Sequence, residues 1–296
     1  MEIRTLQYFL AIAREGSISG AAEYLHITQP TLSRQMKELE DELEKQLFIR
    51  GKRHITLTEE GMILRRRAEE ITVILNRTEA EIKASEEILT GDIYVGCSES
   101  KGMRAIAKAI TLMYQKHPQV KIHVYTGKSE DITERLDEGL LDIGIVIEPV
   151  DLTKYDYFKL PFHNTWGILM RNDSEFASLN YITPDDLRRM PIIASSQNLF
   201  KNEIAGWLNG NERKLNIVGT YNLLLNTSFI IEESYLYALC LDNLINTEGT
   251  TLCFKPLEPR LEANMVAVWK KYQHITKINQ AFFKIIHNVI ETKNVE

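Results

Sequence analysis

The chain has 296 residues, more than one ordinary hydrophobic core supports, and its 44% hydrophobic and 26% charged residues are typical of a water-soluble globular protein. The net charge of −6 excludes a protein that is basic as a whole. No apolar run approaches the roughly 20 residues of a membrane span. Residues 1–5 lack the layout of a signal peptide, so we expect a cytoplasmic protein without membrane contact.

Cysteine and histidine placement argues against a metal site. The three cysteines form no C-x-x-C pair and no cluster with histidines, so a structural zinc site or a disulfide framework is not expected. Cys97 has no resolving thiol near it in the sequence, which favours a buried cysteine over a redox sensor. We therefore expect neither a metal nor a cofactor.

The first part of the chain, residues 1–58, has the pattern of a helix-turn-helix. Apolar residues at helical spacing predict three helices, with Leu6, Phe9, Leu10 and Ala13 in the first, Ile18, Ala21, Ala22 and Leu25 in the second, and Leu32, Met36, Leu39 and Leu43 in the third. Thr28 is a good N-cap for the third helix, and Pro30 falls in its first turn, where a missing N–H costs nothing. Such a unit reads double-stranded DNA.

The third helix has a polar face with the side chains that contact DNA. If its apolar side is buried, the opposite side presents Gln29, Pro30, Thr31, Ser33, Arg34 and Lys37. We expect Gln29 and Arg34 to contact base edges, where an amide or a guanidinium forms paired hydrogen bonds. Thr31 and Ser33 would contact phosphates or bases, and Lys37 a phosphate. The alternative is an ordinary solvated helix face.

A short hairpin with a basic tip, the wing, is predicted after the third helix. Its tip contains Arg50, Lys52 and Arg53, which are candidates for contact in or beside the minor groove, where A·T-rich narrowing attracts arginine. Arg50 has an alternative role, an ion pair with the acidic run Glu38–Glu44 that would hold the wing to the helix. Residues 1–58 contain eight basic and eight acidic residues, so DNA binding would depend on local clusters.

The second part, residues 59–90, reads as one long helix that joins two copies of the chain. Its apolar positions alternate steps of four and three, as in a coiled-coil seam, at Leu64, Ala68, Ile71, Leu75, Thr78, Ile82, Ser85 and Leu89. Charged residues flank this narrow stripe throughout, which favours a partner helix and hence a homodimer. The alternative is a helix packed on its own chain.

The third part, residues 91–296, alternates strands and helices and is predicted to form an α/β domain with a parallel sheet. Its first half has predicted strands at Ile93–Cys97, Val120–Tyr125 and Ile143–Ile147 and helices at Met103–Tyr114 and Asp131–Asp137. Its second half has predicted strands at Trp166–Met170, Ile192–Ala194, Ile217–Thr220 and Ala263–Trp269, helices at Pro184–Arg189, near Lys201–Leu208 and at Ile275–Ile290, and a further segment at Leu224–Glu232. The prediction is two lobes around a cleft: lobe I at residues 91–162 and 266–296, and lobe II at residues 163–265.

Hydroxyl-rich loops follow the strands that would border this cleft. Ligands of open α/β sheets bind beyond the carboxyl ends of strands, where helix amino termini attract anions. The candidate effector-binding residues are Ser98, Ser100, Thr126 and Lys128 from lobe I, and Ser195 and Ser196 from lobe II. Lys101 is a second candidate for a balancing charge. These residues predict a small anionic effector such as a carboxylate; the alternative is that the hydroxyls only cap helices.

Two other classes of protein compete with this interpretation. Gly96-Cys97-Ser98-Glu99-Ser100 is one residue short of the nucleophile elbow of hydrolases, but the final glycine is missing and no histidine stands out as a base. We therefore expect no catalytic residues and no enzymatic activity. A solute-binding protein would fit the third part alone, and the predicted DNA reader argues against it.

The whole chain resembles the LysR-type transcriptional regulators. The resemblance is carried by Leu6-Gln7-Tyr8-Phe9, Ala21-Ala22, Leu25, Gln29-Pro30, Leu32-Ser33-Arg34-Gln35, Leu39-Glu40, Leu47-Phe48-x-Arg50, Leu57-Thr58-x-x-Gly61 and Gly91-x-Ile93-x-Val95-Gly96. One departure is Glu44, which stands where members usually carry glycine, so the end of the third helix lacks a residue suited to left-handed backbone.

The resemblance implies both architecture and partners. It implies an amino-terminal winged helix-turn-helix, a linker-helix dimer often assembled into a tetramer, and a two-lobed domain like that of periplasmic binding proteins that senses a small molecule. RNA polymerase would be an additional partner of such a regulator. A DNA-binding repressor whose third part binds no ligand remains the alternative.

Overall fold

The computed structural model describes residues 1–50, 54–83, 89–196, 204–208, 215–272 and 275–293. The chain divides into two compact units, residues 1–83 and residues 84–296. Within the described residues, no helix is long and apolar enough to cross a membrane.

The first unit contains the predicted helix-turn-helix and wing. Its elements are α1 (Ile3–Glu15), α2 (Ile18–Tyr24), α3 (Gln29–Leu43), β1 (Phe48–Arg50), β2 (Ile55–Leu57) and α4 (Glu59–Lys83). Gly16 ends α1 with left-handed backbone, and the Ser17 side chain caps α2 by accepting the N–H of Gly20. These local signals explain why α1 and α2 are separated by only two residues.

The core of the first unit consists of the apolar positions that the helical spacing predicted. Phe9, Ile12, Leu32, Met36 and Leu39 are fully or almost fully buried and form one cluster. Each such side chain contributes about 1.5–3 kcal/mol when removed from water. Burial of these residues holds α1 against α3 and turns the polar side of α3 outward.

The long helix α4 differs from the prediction at both of its ends. Ala68 is fully buried and Leu64 partly buried against the core of the first unit, so this part of the seam packs on its own chain. The structure describes the helix as far as Lys83, and Leu89 is not helical but packs partly buried against the core of the second unit. Ser85 lies outside the described residues. The prediction of one seam from Leu64 to Leu89 is therefore wrong at both ends.

Lobe I of the second unit follows the predicted order of elements. They are β3 (Gly91–Cys97), α5 (Met103–Lys116), β4 (Val120–Thr126), α6 (Ser129–Asp137) and β5 (Ile143–Ile147). The strands pair in the order β4-β3-β5, all parallel, as α-helical crossovers require. Asp142, the residue before β5, is buried, and its carboxylate accepts hydrogen bonds from the Tyr94 N–H and the Asn279 side-chain amide, which attaches the last helix to the sheet.

Lobe II contains strands that the sequence patterns did not indicate. Its elements, with the two that return to lobe I, are β6 (Tyr155–Arg171), α7 (Pro184–Leu187), β7 (Pro191–Ser195), β8 (Asn216–Tyr221), α8 (Leu224–Glu232), β9 (Tyr237–Leu241), β10 (Leu252–Pro256), β11 (Glu262–Lys270) and α9 (Lys277–Lys293). The strand order is β4-β3-β5-β11-β6-β9-β7-β8, and β10 pairs with β6. The predicted helix near Lys201–Leu208 lies partly outside the described residues.

Two antiparallel strands connect the lobes. β6 carries the chain from lobe I to lobe II and β11 carries it back, so the two must run in opposite directions, and the sheet is mixed rather than wholly parallel. Their register shifts between Asn264 and Met265, opposite Pro161, a residue that cannot donate to a ladder. Asn164, beside this shift, is fully buried.

Candidate functional site

The amino terminus of α3 is stabilised by its N-cap residue, Thr28. The Thr28 hydroxyl lies 3.4 Å from the backbone nitrogen of Thr31 and 2.8 Å from the Thr31 hydroxyl, and Pro30 occupies the first turn. The cap satisfies an N–H that would otherwise lack a partner. It also engages the hydroxyl of Thr31, a predicted contact residue, in an intramolecular hydrogen bond.

The structure brings the predicted DNA-contacting residues of α3 onto one exposed face. Those that are solvent-exposed are Gln29, Pro30, Thr31, Arg34 and Lys37, and Ser33 is half-buried. The Arg34 side chain is 72% exposed, with its Nε 3.5 Å from Glu38 Oε1 one turn later. An exposed pair of this kind stabilises a helix by only about 0.3–0.5 kcal/mol, so Arg34 can exchange Glu38 for another acceptor.

The wing is fastened to α3 by a carboxylate that sequence reasoning did not single out. Glu40 Oε1 accepts the N–H of Leu47 at 2.7 Å and that of Phe48 at 3.3 Å. β1 and β2 then pair with Arg50 opposite Ile55. The Arg50 side chain, Lys52 and Arg53 lie outside the described residues, so their roles remain predictions. The sequence signal for Glu40 is its place in the acidic run Glu38–Glu44, which predicts an ion pair with Arg50 and not hydrogen bonds to backbone N–H groups.

At the end of α3, Glu44 adopts the left-handed backbone conformation to which the sequence predicts it to be poorly suited. This residue has φ 53° and ψ 31°, the left-handed conformation that favours glycine. A side chain there costs roughly 1 kcal/mol. The chain thus adopts left-handed backbone at a residue that carries a Cβ atom, at an energetic cost.

A Glu44→Gly variant is expected to stabilise the first unit by about 0.5–1 kcal/mol, because glycine adopts this backbone without a clash. Hydrogen exchange of the α3 amides in the full-length protein measures the change. Glu44→Gln is the matched control, since it removes the charge and keeps the Cβ atom. Equal protection in both variants would mean that charge, not backbone strain, is responsible.

The second candidate site is a cavity of about 440 Å³ at the carboxyl ends of β3 and β4. Its lining residues are Cys97, Ser98, Glu99, Ser100, Lys101, Met103, Arg104, Ala107, Thr126, Asn243 and Leu244. The predicted residues Ser98, Ser100 and Thr126 meet here. Lys128, Ser195 and Ser196 do not line this cavity, to which lobe II contributes the turn after β9 instead.

Ser98 belongs to a buried network within lobe I. Its hydroxyl is 3.3 Å from that of Ser129, which in turn lies 3.2 Å from both the N and the O of Ile147. Sequence reasoning missed Ser129, although its place at the first turn of α6 was a signal for it. Ser98 has no histidine partner in this network and is almost fully buried, which argues against the nucleophile-elbow alternative.

Ser100 differs from Ser98 because its hydroxyl is buried and has no hydrogen-bond partner among the described residues. A buried hydroxyl left in this way is costly, by about 1–3 kcal/mol. Thr126 lines the same cavity and is solvent-exposed. The two side chains offer donors to a molecule in the cavity.

Lys101 is already compensated by an acid. Its Nζ lies 2.9 Å from Asp242 Oδ2, and Asp242 Oδ1 accepts the N–H of Thr165 at 2.8 Å. The Lys101 N–H is donated to Asn164 Oδ1 at 3.3 Å. The loop after β3 is therefore attached to the strand that connects the lobes, and Lys101 supports the loop more than it supplies free charge.

Glu99 reaches across the cleft to lobe II. Its Oε2 accepts the N–H of Leu224, the first residue of α8, at 2.7 Å. Burial raises the pKa of the Glu99 carboxyl, and the Leu224 hydrogen bond opposes that rise. No sequence pattern indicated this contact, because it joins residues 125 positions apart.

Cys97 lines the cavity but is buried, and burial raises the pKa of its thiol to about 12. A thiol with so high a pKa forms little thiolate at neutral pH and reacts slowly. Among the described residues, no cluster of three histidine, cysteine or acidic side chains could hold a metal ion.

Comparison with known proteins accounts for both units. Residues 3–62 match the family model described as "Bacterial regulatory helix-turn-helix protein, lysR family", and residues 87–291 match that of the "LysR substrate binding domain". The chain belongs to the LysR family. The resemblance carried by the sequence motifs is thereby confirmed.

Other LysR-family proteins are similar to this chain in sequence. It is 34% identical over 146 residues to the transcriptional regulator BsdA of Bacillus subtilis, covering 49% of this chain and 50% of that one. It is 27% identical over 214 residues to the transcriptional regulator IlvY of Escherichia coli, covering 72% of each. With YvbU of Bacillus subtilis it shares 28% identity over 194 residues. The chain thus spans less than two thirds of the length of several of these relatives: 50% of BsdA, 65% of YvbU, and 60% of a probable RuBisCO transcriptional regulator of Porphyra purpurea.

Solved LysR-family structures have the same fold. The full-length regulator CbnR in complex with its target DNA matches with a TM-score of 0.74 and 18% identity, covering 98% of this chain and 100% of that one. CbnR alone gives 0.75 and 17% identity, over 98% and 99% of the two chains. The predicted fold class, a helix-turn-helix with an α/β effector domain, is confirmed.

Proposed function

We propose that this chain is a sequence-specific DNA-binding transcriptional regulator whose second unit senses a small metabolite with an anionic group. The observation that carries the proposal is the division of α3 into two faces. Leu32, Met36 and Leu39 are buried, while Gln29 and Arg34 are exposed on the opposite side. An exposed helix face with paired-hydrogen-bond formers enters a major groove. The CbnR complex with its target DNA and the names of the relatives support this reading over an enzymatic one.

The anionic group of the effector is proposed from the cavity. Arg104 lines it, and its guanidinium has no side-chain partner among the described residues. Ser100 and Thr126 would add hydroxyl donors, as arginine and hydroxyls do around carboxylates. The buried Ser100 hydroxyl favours a ligand-responsive regulator over one that has lost its ligand.

Self-association is proposed from exposed apolar side chains on α4. Ile71 and Ile74 are about two-fifths exposed and Ile82 is 80% exposed. On α8, Leu225, Phe229 and Ile230 are each at least half exposed. Two helical faces of this kind in one chain are unusual for a monomer. We propose that the chain forms a homodimer through α4. Assembly of dimers into a homotetramer and contact with RNA polymerase are further expectations. As a DNA-binding protein, it would act in the cytoplasm.

Replacing Ile71 and Ile74 together with lysine is expected to convert the α4 dimer into monomers, because each ammonium group would be buried in the helix–helix contact. Size-exclusion chromatography with light scattering measures the mass of the species. Asn76→Lys is the matched control, since Asn76 is exposed on the same helix but on a different face from Ile71 and Ile74. An unchanged mass for the double variant would remove these residues from the interface.

Selection of genomic fragments tests the proposed function as a whole. Purified full-length protein is incubated with sheared DNA of its own organism, and the bound fragments are sequenced. We expect a small set of enriched sites that share half-sites about one helical turn apart or a multiple of that distance. Recovery of fragments without any shared sequence would contradict sequence-specific binding.

A further inference from the structure

The cavity contains one acid and one base that form no ion pair with each other or with another side chain among the described residues. Three charged side chains line it, namely Glu99, Lys101 and Arg104. Lys101 is neutralised by Asp242. No ion pair joins Glu99 or Arg104 to a neighbour in the described part of the chain. The charges that remain for a ligand are therefore one carboxylate and one guanidinium.

Glu99 uses only part of its capacity to accept hydrogen bonds. Oε2 accepts the Leu224 N–H, and no described residue donates to Oε1. A carboxylate offers about four lone-pair sites. A ligand that displaces water from the cavity leaves Oε1 without a donor unless the ligand itself donates one, and desolvation of an unpaired charge is costly.

A ligand with only negative charge would be unfavourable beside Glu99. It would gain from Arg104 but share the cavity with the Glu99 carboxylate, and like charges at short range repel each other. A ligand with only positive charge would make no use of Arg104, which is solvent-exposed at the rim of the cavity. The pair of free charges therefore matches a molecule that carries both signs.

We propose that the effector is a small zwitterion of the 2-amino acid type, whose ammonium group binds Glu99 and whose carboxylate binds Arg104 and the Ser100 hydroxyl. The inference rests on the proposed function and specifies its ligand class. A cavity of about 440 Å³ accommodates a molecule of this size. Glu99 thereby determines the specificity of the site, in addition to joining the loop after β3 to α8.

The test compares matched ligands on the full-length protein. Calorimetry is performed with the twenty proteinogenic amino acids, with the carboxylic acids that lack their amino groups, and with the amines that lack their carboxyl groups. We expect at least one amino acid to bind about tenfold or more tightly than both of its counterparts, the effect of one lost charge-assisted hydrogen bond.

Two variants assign the two ends of the ligand. Glu99→Gln retains an oxygen for the Leu224 N–H and removes the charge, so it is expected to weaken the amino acid about tenfold and leave its deaminated counterpart unaffected or improved. Arg104→Gln is expected to weaken both to a similar extent. Glu134→Gln, an exposed acid outside the cavity, is the control and should change neither. A melting temperature equal to that of the wild type verifies that each variant folds.

Three results would each overturn the inference. The deaminated acids could bind as tightly as the amino acids, or no amino acid could bind at millimolar concentration. Alternatively, Glu99→Gln could still distinguish amino acids from their deaminated counterparts as the wild type does. Specific DNA binding is measured on the same preparations, so that a failure of the ligand class can be distinguished from a failure of the proposed function. Specific DNA binding without amino acid selectivity would remove only the ligand class.

Discussion

Gly61→Ala is expected to destabilise the first unit by about 3 kcal/mol, the upper part of the range for overpacked cores. A Cβ atom built at Gly61 lies 2.2 Å from the carbonyl oxygen of Leu47 and 3.3 Å from Cβ of Leu57. The nearer contact is with backbone, which cannot move aside as a flexible side chain does. Either α4 or the start of the wing must shift.

The neighbouring hydrogen bonds prevent an easy shift. Thr58 donates its hydroxyl to the Gln46 carbonyl at 2.7 Å, accepts the Gly61 N–H at 2.9 Å, and donates its own N–H to Leu47 at 3.1 Å. These bonds fix the first turn of α4 to the residues before β1. Because the same residues lead into the wing, we also expect weaker DNA binding.

Hydrogen exchange of amides in α1–α3 and urea unfolding of the full-length protein measure the effect of Gly61→Ala. Gly206→Ala is the control, because a Cβ atom there has no neighbour within 4 Å. It should leave stability unchanged or slightly increased. Wild-type protection of α1–α3 in Gly61→Ala would show that the close approach to Leu47 does not constrain the first unit.

Arg34→Ala is expected to weaken operator binding by about 1–3 kcal/mol and to relax the base preference at one position of each half-site. The side chain is largely exposed, and its ion pair with Glu38 is too weak to compete with a guanine edge.

Lys37→Ala should instead weaken binding to all sequences alike. It should also reduce the slope of log K against log salt concentration by about one, as the loss of one phosphate contact does.

Fluorescence anisotropy with a site from the genomic selection, at one fixed salt concentration and with single-base variants, measures both effects of Arg34→Ala. Arg66→Ala removes an exposed arginine from α4 and serves as the control for charge. If Arg34→Ala binds all site variants as the wild type does, Arg34 is not a base-reading residue.

Helical periodicity determined most of the first unit, because local hydrogen bonds and one buried stripe suffice to define a helix. The predicted stripe of Leu32, Met36 and Leu39 is buried in the structure, and Thr28 caps the helix as expected. The motif Leu57-Thr58-x-x-Gly61 could be recognised but not explained. Its reason is the distance to Leu47, a residue 14 positions away that only the folded unit brings close.

In the second unit, the rule that ligands bind beyond strand ends located Ser98, Ser100 and Thr126. It could not locate Glu99 opposite Leu224 or Lys101 opposite Asp242, because these pairs join residues 125 and 141 positions apart. The missed strands β9 and β10 also depend on partners that are distant in sequence. Lys128, at the N-cap of α6, does not line the cavity at the carboxyl ends of β3 and β4, and its role as an effector-binding residue stays a prediction.

The sequence by itself determined the family, the order of the elements in the first unit and in lobe I, and the exposed face of α3, since each of these is encoded in local spacing. The tertiary structure alone decided which charges stay free. Lys101, predicted to balance an anion, forms an ion pair with Asp242, whereas Glu99 and Arg104, which we propose bind the ligand, form no ion pair with another described residue. The physical reason is that neutralisation depends on distances of about 3 Å between side chains from different strands, and the topology of the sheet sets those distances.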